Sequence, residues 1–202
     1  DVTAAAGLPE SWPQKCPHVE VHDFDNDGRL DIYFSGAWLA GDGAVTPLVY
    51  RNLGNAPDGV PRFVAPGQPA GAKPVYFPAG PSADFDNDGR IDLFLVNWFA
   101  GNHSRLMRNV STGGGWLRIK VRSAGKENRD GVGGKVTLRT EDGLLGYREI
   151  AAGYGYASGQ EAIAHFGVGS AESVDVEVRT PRGHLERRAG VAINQTLTVV
   201  VP

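Results

Sequence analysis

The chain has 202 residues, enough for one large domain or two small ones, each able to bury a core. A formal net charge of −3, with no Lys/Arg run, gives no electrostatic case for nucleic acid, and no apolar run reaches the length of a membrane span. The 28 glycines and 13 prolines, with no long window of apolar residues at helical spacing, point to an all-β protein with many turns.

The chain opens at Asp1 with no initiator Met and no signal peptide, as a mature or trimmed product would. Asp1 to Leu8 reads as one helical turn ending at Gly7 or as an extended lead-in. The lone Cys16 has no partner for an intramolecular disulfide. His18-Val19-Glu20-Val21-His22 alternates and predicts a strand, with His18 and His22 on its surface.

That strand feeds Asp23-Phe24-Asp25-Asn26-Asp27-Gly28-Arg29-Leu30-Asp31, a D-x-D-x-D-G-x-x-D run. Asp at positions 1, 3 and 5 points oxygens inward, Gly at 6 allows a sharp turn, and Asp at 9 closes the cage. The predicted ligands are Asp23, Asp25, Asp27 and Asp31, with Arg29 contributing its backbone carbonyl. An all-oxygen set without Cys or His favours Ca2+ over zinc or copper, and carboxylates this close repel one another without a cation. The plainer reading is a polar turn. Phe34 stands where an EF-hand needs its bidentate Glu, and the flanks read as strands rather than helices.

After the loop a strand runs to Ser35, then a glycine-rich connection from Gly36 to Gly43. Strands follow around Pro47–Tyr50 and Pro61–Val64. The loop then returns as Asp84-Phe85-Asp86-Asn87-Asp88-Gly89-Arg90-Ile91-Asp92, about 60 residues on. Its ligands would be Asp84, Asp86, Asp88, Asp92 and the carbonyl of Arg90, giving two Ca2+ sites. Leu93–Asn97 and Ser104–Met107 repeat the strands, and Arg108-Asn109 matches Arg51-Asn52. A repeat of this length predicts a four-stranded unit of the propeller-blade kind, about 1–66 and 67–112. Trp38 and Trp98 fall in the connections, either as a platform for a ligand such as a sugar or as a plug between blades. Three sequons, at Asn102, Asn109 and Asn194, match the N-glycosylation pattern.

Asp1-Val2-Thr3 to Leu8, Asp23 to Gly28 and Tyr50-Arg51-Asn52 together resemble the FG-GAP/VCBS repeats. The resemblance implies calcium-bearing β-propeller blades. Two blades cannot close a ring and leave edges unpaired. The chain is then part of a longer propeller protein, or its repeats pack on the C-terminal half, or copies assemble as a homo-oligomer.

Ser111-Thr112-Gly113-Gly114-Gly115 marks a boundary, with 113–202 as a second unit. Strands are predicted at Trp116–Val121, Gly134–Arg139, Tyr147–Ile150, Ala162–Phe166, Val174–Arg179 and Gln195–Val201. Turns fall at Glu141-Asp142-Gly143, Gly167-Val168-Gly169 and Pro181-Arg182-Gly183. Six short strands so punctuated suggest a small antiparallel sandwich or barrel. Trp116-Leu117, Asn128 to Gly133, Gly153 to Tyr156, His165 to Gly169 and Pro181-Arg182-Gly183 resemble the ASPIC/UnbV domain. That family includes proteins encoded in enediyne biosynthetic clusters.

No G-x-S-x-G, H-E-x-x-H or phosphate loop occurs. Asp130 with His165 is conceivable as an acid–base pair, against Asp130 capping a turn and His165 packing in a strand. The expected function is a secreted or periplasmic, calcium-stabilised β module that engages a protein or glycan, without catalysis of its own. The alternatives are an enzyme or accessory factor of a biosynthetic or polysaccharide-active pathway, and a self-assembling subunit joined through β edges.

Overall fold

β-Branched and aromatic runs punctuated by glycine form 17 strands, and no helix forms among the described residues of the computed structural model, which are 1–10, 15 and 18–202. The lone Cys16 lies outside them. The opening segment is one helical turn: Ala6 N donates to Val2 O at 2.7 Å, Asp1 Oδ1 accepts from Thr3 N, and the turn stops at Gly7 with φ +77°.

β1 (Val19–His22), β2 (Asp31–Leu39), β3 (Val45–Asn55) and β4 (Pro61–Val64) form an antiparallel meander in chain order. β5 (Lys73–Val75), from the segment counted with the second repeat, completes this sheet by pairing with β2. The second copy is smaller than expected: β6 (Ser82–Ala83), β7 (Asp92–Leu95) and β8 (Arg105–Met107) make three strands, not four. β2 runs on into the glycine-rich connection as far as Leu39, with a bulge between Phe34 and Ala37. Trp38 therefore sits in a strand, opposite Thr46 and Pro74, and not in a loop. Tyr33, Phe77, Leu93 and Leu95 are buried in a core shared by the two meanders.

The C-terminal half is a two-sheet sandwich. β9 (Gly115–Ser123), β10 (Lys135–Thr140), β11 (Gly143–Glu149), β12 (Gly153–Tyr154), β13 (Ser158–Gly159), β14 (Ile163–Gly169), β15 (Ser173–Arg179), β16 (Leu185–Ala192) and β17 (Gln195–Val201) follow in order. One sheet is β11-β10-β15-β16, the other β14-β9-β17, and β12 and β13 pair as a small ribbon. Ile119, Val121, Leu138, Phe166, Val176 and Val199, all nearly inaccessible, fill the space between the sheets. The expectation of a wholly antiparallel unit fails at one pair. β17 lies parallel to β9 because it crosses from the other sheet and enters from the same end. Neither sheet closes into a barrel. Gly167-Val168-Gly169, expected as a turn, belongs to β14.

The expected boundary is not a loose linker. A Cβ on Gly113 would fall 1.6 Å from Asp25 O, and one on Gly114 2.5 Å from Asn26 O, so the glycine run lies flat against the first acidic loop. Among the described residues no helix is long and apolar enough to cross a membrane.

Candidate metal centre

Both D-x-D-x-D-G segments fold as the same loop between strands. Asp23 Oδ1 accepts from Asp27 N at 3.0 Å and Oδ2 from Gly28 N at 2.7 Å. Asp84 repeats both bonds with Asp88 N and Gly89 N, each at 3.0 Å. The turn needs left-handed backbone at its fourth and sixth residues: Asn26 and Asn87 have φ 56° and 59°, Gly28 and Gly89 φ 92° and 86°. Asp31 bridges Phe24 N (3.0 Å) and Asn52 N (2.7 Å), as Asp92 bridges Phe85 N and Asn109 N at the same distances.

This geometry gathers one oxygen each from Asp23, Asp25 and Asp27, and again from Asp84, Asp86 and Asp88, within 4.8 Å of one another. Asp31 and Asp92 stand beside these clusters as braces, each with both oxygens on backbone N–H groups. The side chains of Arg29 and Arg90 turn outward to Asn52 O and Asn109 O, at 3.0 and 2.9 Å, and pair with Asp27 and Asp88. Arg51 grips one oxygen of Asp25, leaving Oδ1 buried and without a partner. Arg108 holds Asp86 in the same way at 2.7 Å.

The donor chemistry fits a hard cation. The clusters are oxygen-only, and Asp25 Oδ1 is a buried acceptor with lone pairs unmet. Burial, then the charges of Asp27 and Asp31, push the Asp23 carboxyl up to about 7 against the N–H groups of Gly28 and Asp27. Burial likewise pushes Asp31 up to about 6, with Asp25 and Asp27 adding to it. A divalent ion would relieve both.

The loops touch each other and the sandwich. Asn26 Nδ2 donates to Gly89 O at 3.0 Å, and Asn109 Nδ2 to Phe24 O at 2.7 Å. Gly169 N of β14 donates to Asn26 O at 3.1 Å. A Cβ on Gly89 would fall within 2.2 Å of the Trp116 indole, so only glycine admits that ring against the second loop. The Asn109 sequon has its amide committed to Phe24 O and to Ile91 O, inside the fold.

Asp130 and His165 are not brought together. Asp130, in the β9–β10 loop, pairs with Arg122 of β9 and with its neighbour Arg129. His165 lies at the junction, its Nε2 3.0 Å from Gly89 O and its Nδ1 buried without a partner. Burial holds its pKa down at about 3, so the ring is neutral and donates through Nε2. His165 lines a small cleft of about 50 Å³ with Asp84, Arg118, Arg148 and Glu149. Trp98 is 59% exposed beside Phe99, whose ring lies 5.9 Å from that of Tyr76, so these aromatics form a surface cluster.

One polar cluster has no local signal in the sequence, since its members are brought together from distant segments. Glu20 is 1% exposed, and His18, expected on the strand surface, is wholly buried. Glu20 Oε1 lies 2.9 Å from His18 Nε2, and Oε2 lies 3.0 Å from His22 Nε2 and 2.6 Å from Gln160 Nε2, with Ser82 Oγ in contact as well. Tyr156 N donates to His18 Nδ1 at 3.0 Å, which assigns the His18 proton to Nε2, facing Glu20. Burial acts to raise the Glu20 pKa, but hydrogen bonds from His18, His22 and Ser82 prevail and hold it at about 2. The ribbon β12–β13 is thereby fastened to the first meander.

Two acidic loops of one design, each following a meander strand and clamped against a β-sandwich, define the class: an all-β protein with a paired acidic junction. Residues 124–202 match the family described as ASPIC and UnbV. Over 95% of its length the chain is similar to cartilage acidic protein 1 of Homo sapiens (31% identical over 201 residues), Mus musculus (30% over 201) and Xenopus tropicalis (31% over 199). The chain spans 29–30% of the length of these relatives. A group B streptococcus pilus 2b backbone protein aligns over 92% of this chain and 80% of its own, at 10% identity and a TM-score of 0.24, too low to indicate a shared fold.

Proposed function

We propose that this chain is an extracellular, calcium-stabilised β module that engages a protein or glycan in adhesion, recognition or assembly. In this reading residues 1–112 are two repeats of the FG-GAP/VCBS kind, and 113–202 is the ASPIC/UnbV unit. Asp23, Asp25 and Asp27 hold one Ca2+, and Asp84, Asp86 and Asp88 a second. Asp31 and Asp92, with the carbonyls of Arg29 and Arg90, complete the cages. The observation that carries the reading is the convergence of three carboxylate oxygens in each of two equivalent loops, one of them with a buried unmet acceptor. Similarity to proteins named for cartilage supports placement outside the cell, where calcium is plentiful enough for such sites.

The ion braces rather than reacts. It neutralises a cluster that joins both meanders to the sandwich, so its free energy of binding becomes stability of the junction. The exposed Trp98–Phe99 cluster offers a contact surface for a partner. A second reading, self-association, is favoured by the apolar outer face of β7 and β8, where Phe94 and Leu106 sit opposite each other, both exposed.

A thermal melt with excess Ca2+ and with chelator, at two protein concentrations, tests both. A Ca2+-induced rise in Tm independent of protein concentration supports a self-contained braced module. A rise that grows with concentration supports linked assembly. No Ca2+ effect overturns the proposal.

A further inference from the structure

The duplication supplies an internal control for what surrounds each acidic triad. Arg51 pairs with Asp25 and Asp27 as Arg108 pairs with Asp86 and Asp88. Arg29 sits on Asp27 as Arg90 sits on Asp88. The two braces, Asp31 and Asp92, make matching bonds. Ion pair for ion pair, the loops differ at one place. Arg118 Nη1, from β9, donates to Asp84 Oδ2 at 3.1 Å and to Asn87 Oδ1 at 3.2 Å, and its side chain is 6% exposed. The equivalent carboxylate, Asp23, makes no ion pair among the described residues. Its oxygens accept from the backbone at Asp27 and Gly28, and a Cβ on Gly167 would fall 2.0 Å from Oδ2, so the backbone of β14 closes over it. Arg148 acts on Asp23 only through its longer-range charge.

A buried guanidinium in hydrogen-bond contact with a ligand carboxylate competes with a cation twice over: it occupies lone pairs, and it repels the incoming charge through a medium less polarisable than water. Arg118 is also shared. Its Nη2 donates to Glu161 Oε2 at 2.5 Å, just before β14, so Glu161 draws positive charge away from Asp84.

We propose that Arg118 makes the two loops cation sites of unequal affinity, the Asp23 loop tight and the Asp84 loop weakened, with Glu161 setting how far the second is weakened. The inference rests on the proposed function's reading of both loops as Ca2+ sites. It assigns a role to a residue outside either loop motif, and it ties occupancy of the second loop to the C-terminal sandwich.

Isothermal titration of Ca2+ into the chelator-treated 202-residue chain tests it, with Asp86→Asn isolating the first loop and Asp25→Asn the second. The expected result is two affinities about tenfold or more apart, equivalent to ~1.4 kcal/mol, with the tighter one retained in Asp86→Asn. In the Asp25→Asn background, Arg118→Gln should tighten Ca2+ binding by about tenfold even as it lowers the melting temperature of the cation-free protein. Glu161→Gln, at a half-exposed side chain that folding tolerates, should weaken the second site by about two- to fivefold. A residue with a merely structural role would lower stability without tightening binding. Equal affinities at the two loops, or second-site binding that Arg118→Gln and Glu161→Gln leave unchanged, overturn the inference while leaving two Ca2+ sites standing. No binding heat at either loop overturns the Ca2+ reading itself, a different outcome from two equal sites.

Discussion

The side-chain amide of Asn109 donates to the backbone carbonyl of Phe24, 2.7 Å away and 85 residues earlier in the chain. The same nitrogen donates to Ile91 O at 3.0 Å, and Asn109 Oδ1 accepts from Ser111 N. One side chain thus closes the second loop and ties it to the first. Its counterpart Asn52 does only the local half of this, donating to Leu30 O and accepting from Gly54 N. The pair separates the cost of closing a loop from the cost of joining two.

Asn109→Ala should therefore destabilise the protein by about 2–3 kcal/mol, and Asn52→Ala by about 1 kcal/mol less, since each lost bond leaves a partner carbonyl unsatisfied. Urea denaturation of both variants at one fixed Ca2+ concentration checks this. Equal losses would mean that the bond to Phe24 contributes nothing to the junction.

His165 makes the junction acid-sensitive. Burial depresses its folded-state pKa to about 3, against about 6.5 in an unfolded chain. The unfolded state therefore binds the proton first, so the His165 contribution is full above pH 6.5 and shrinks as pH falls from there toward 3. Between pH 7 and pH 5 the loss should be about 2 kcal/mol. His165→Gln, which can still donate to Gly89 O, should remove that part of the slope. Stability curves of the two proteins from pH 7.5 to 5 decide it; parallel curves would show that His165 is solvated.

The strand β1 shows how far the sequence could be read. The alternation of His18 to His22 correctly predicts the strand, but period alone does not choose the face, and a shift of one position inverts it. Val19 and Val21 face solvent, 40% and 45% exposed, while His18 and Glu20 point inward. The partners that make this tolerable, Tyr156 and Gln160, lie about 140 residues away and leave no local mark. Gly36 and Gly167 mislead for a related reason. Glycine reads as a turn signal, yet both lie within strands where Leu48 and Asp23 crowd the space a Cβ would take. β16 carries no strand signal in the sequence because Leu185 to Ala192 is a charged edge strand, its Arg187 paired with Glu177 and Arg188 with Glu186. The acidic loops were legible because carboxylate spacing is a local requirement. Arg118 was not, because nothing in sequence places β9 beside Asp84.

Glu20 is the keystone of the inward face of β1. Glu20→Ala would strand donors from His18, Ser82 and Gln160 in a buried site, with an expected loss of about 3–5 kcal/mol. Glu20→Gln keeps the shape and some acceptor capacity, so the loss should be smaller, about 1–3 kcal/mol. Denaturant midpoints of the two variants test this. Hydrogen exchange at Tyr156 N, whose bond is to His18, should quicken in Glu20→Ala before global unfolding, because the ribbon loses its anchor.

Protons and Ca2+ compete for the carboxylates of the first loop. Folded-state pKa values raised to about 7 at Asp23 and about 6 at Asp31 mean that the folded protein holds protons the unfolded chain has released. Without Ca2+ their contribution is full below pH 4 and is lost as pH rises through 6 to 7. Ca2+ needs the ionised carboxylates, so its binding at pH 6.5 should expel protons. The calorimetric enthalpy of binding should then differ between buffers of high and low ionisation enthalpy, by an amount proportional to the protons released. The gap should narrow to nothing above pH 8, where the carboxyls are already ionised. The rise in Tm caused by Ca2+ should correspondingly be larger at pH 8 than at pH 5.5. Asp23→Asn, which removes the most strongly shifted carboxyl, should abolish most of the proton release. A binding enthalpy identical in both buffers at pH 6.5 would mean that the first loop is hydrated and already charged, and that burial of Asp23 does not drive its demand for a cation.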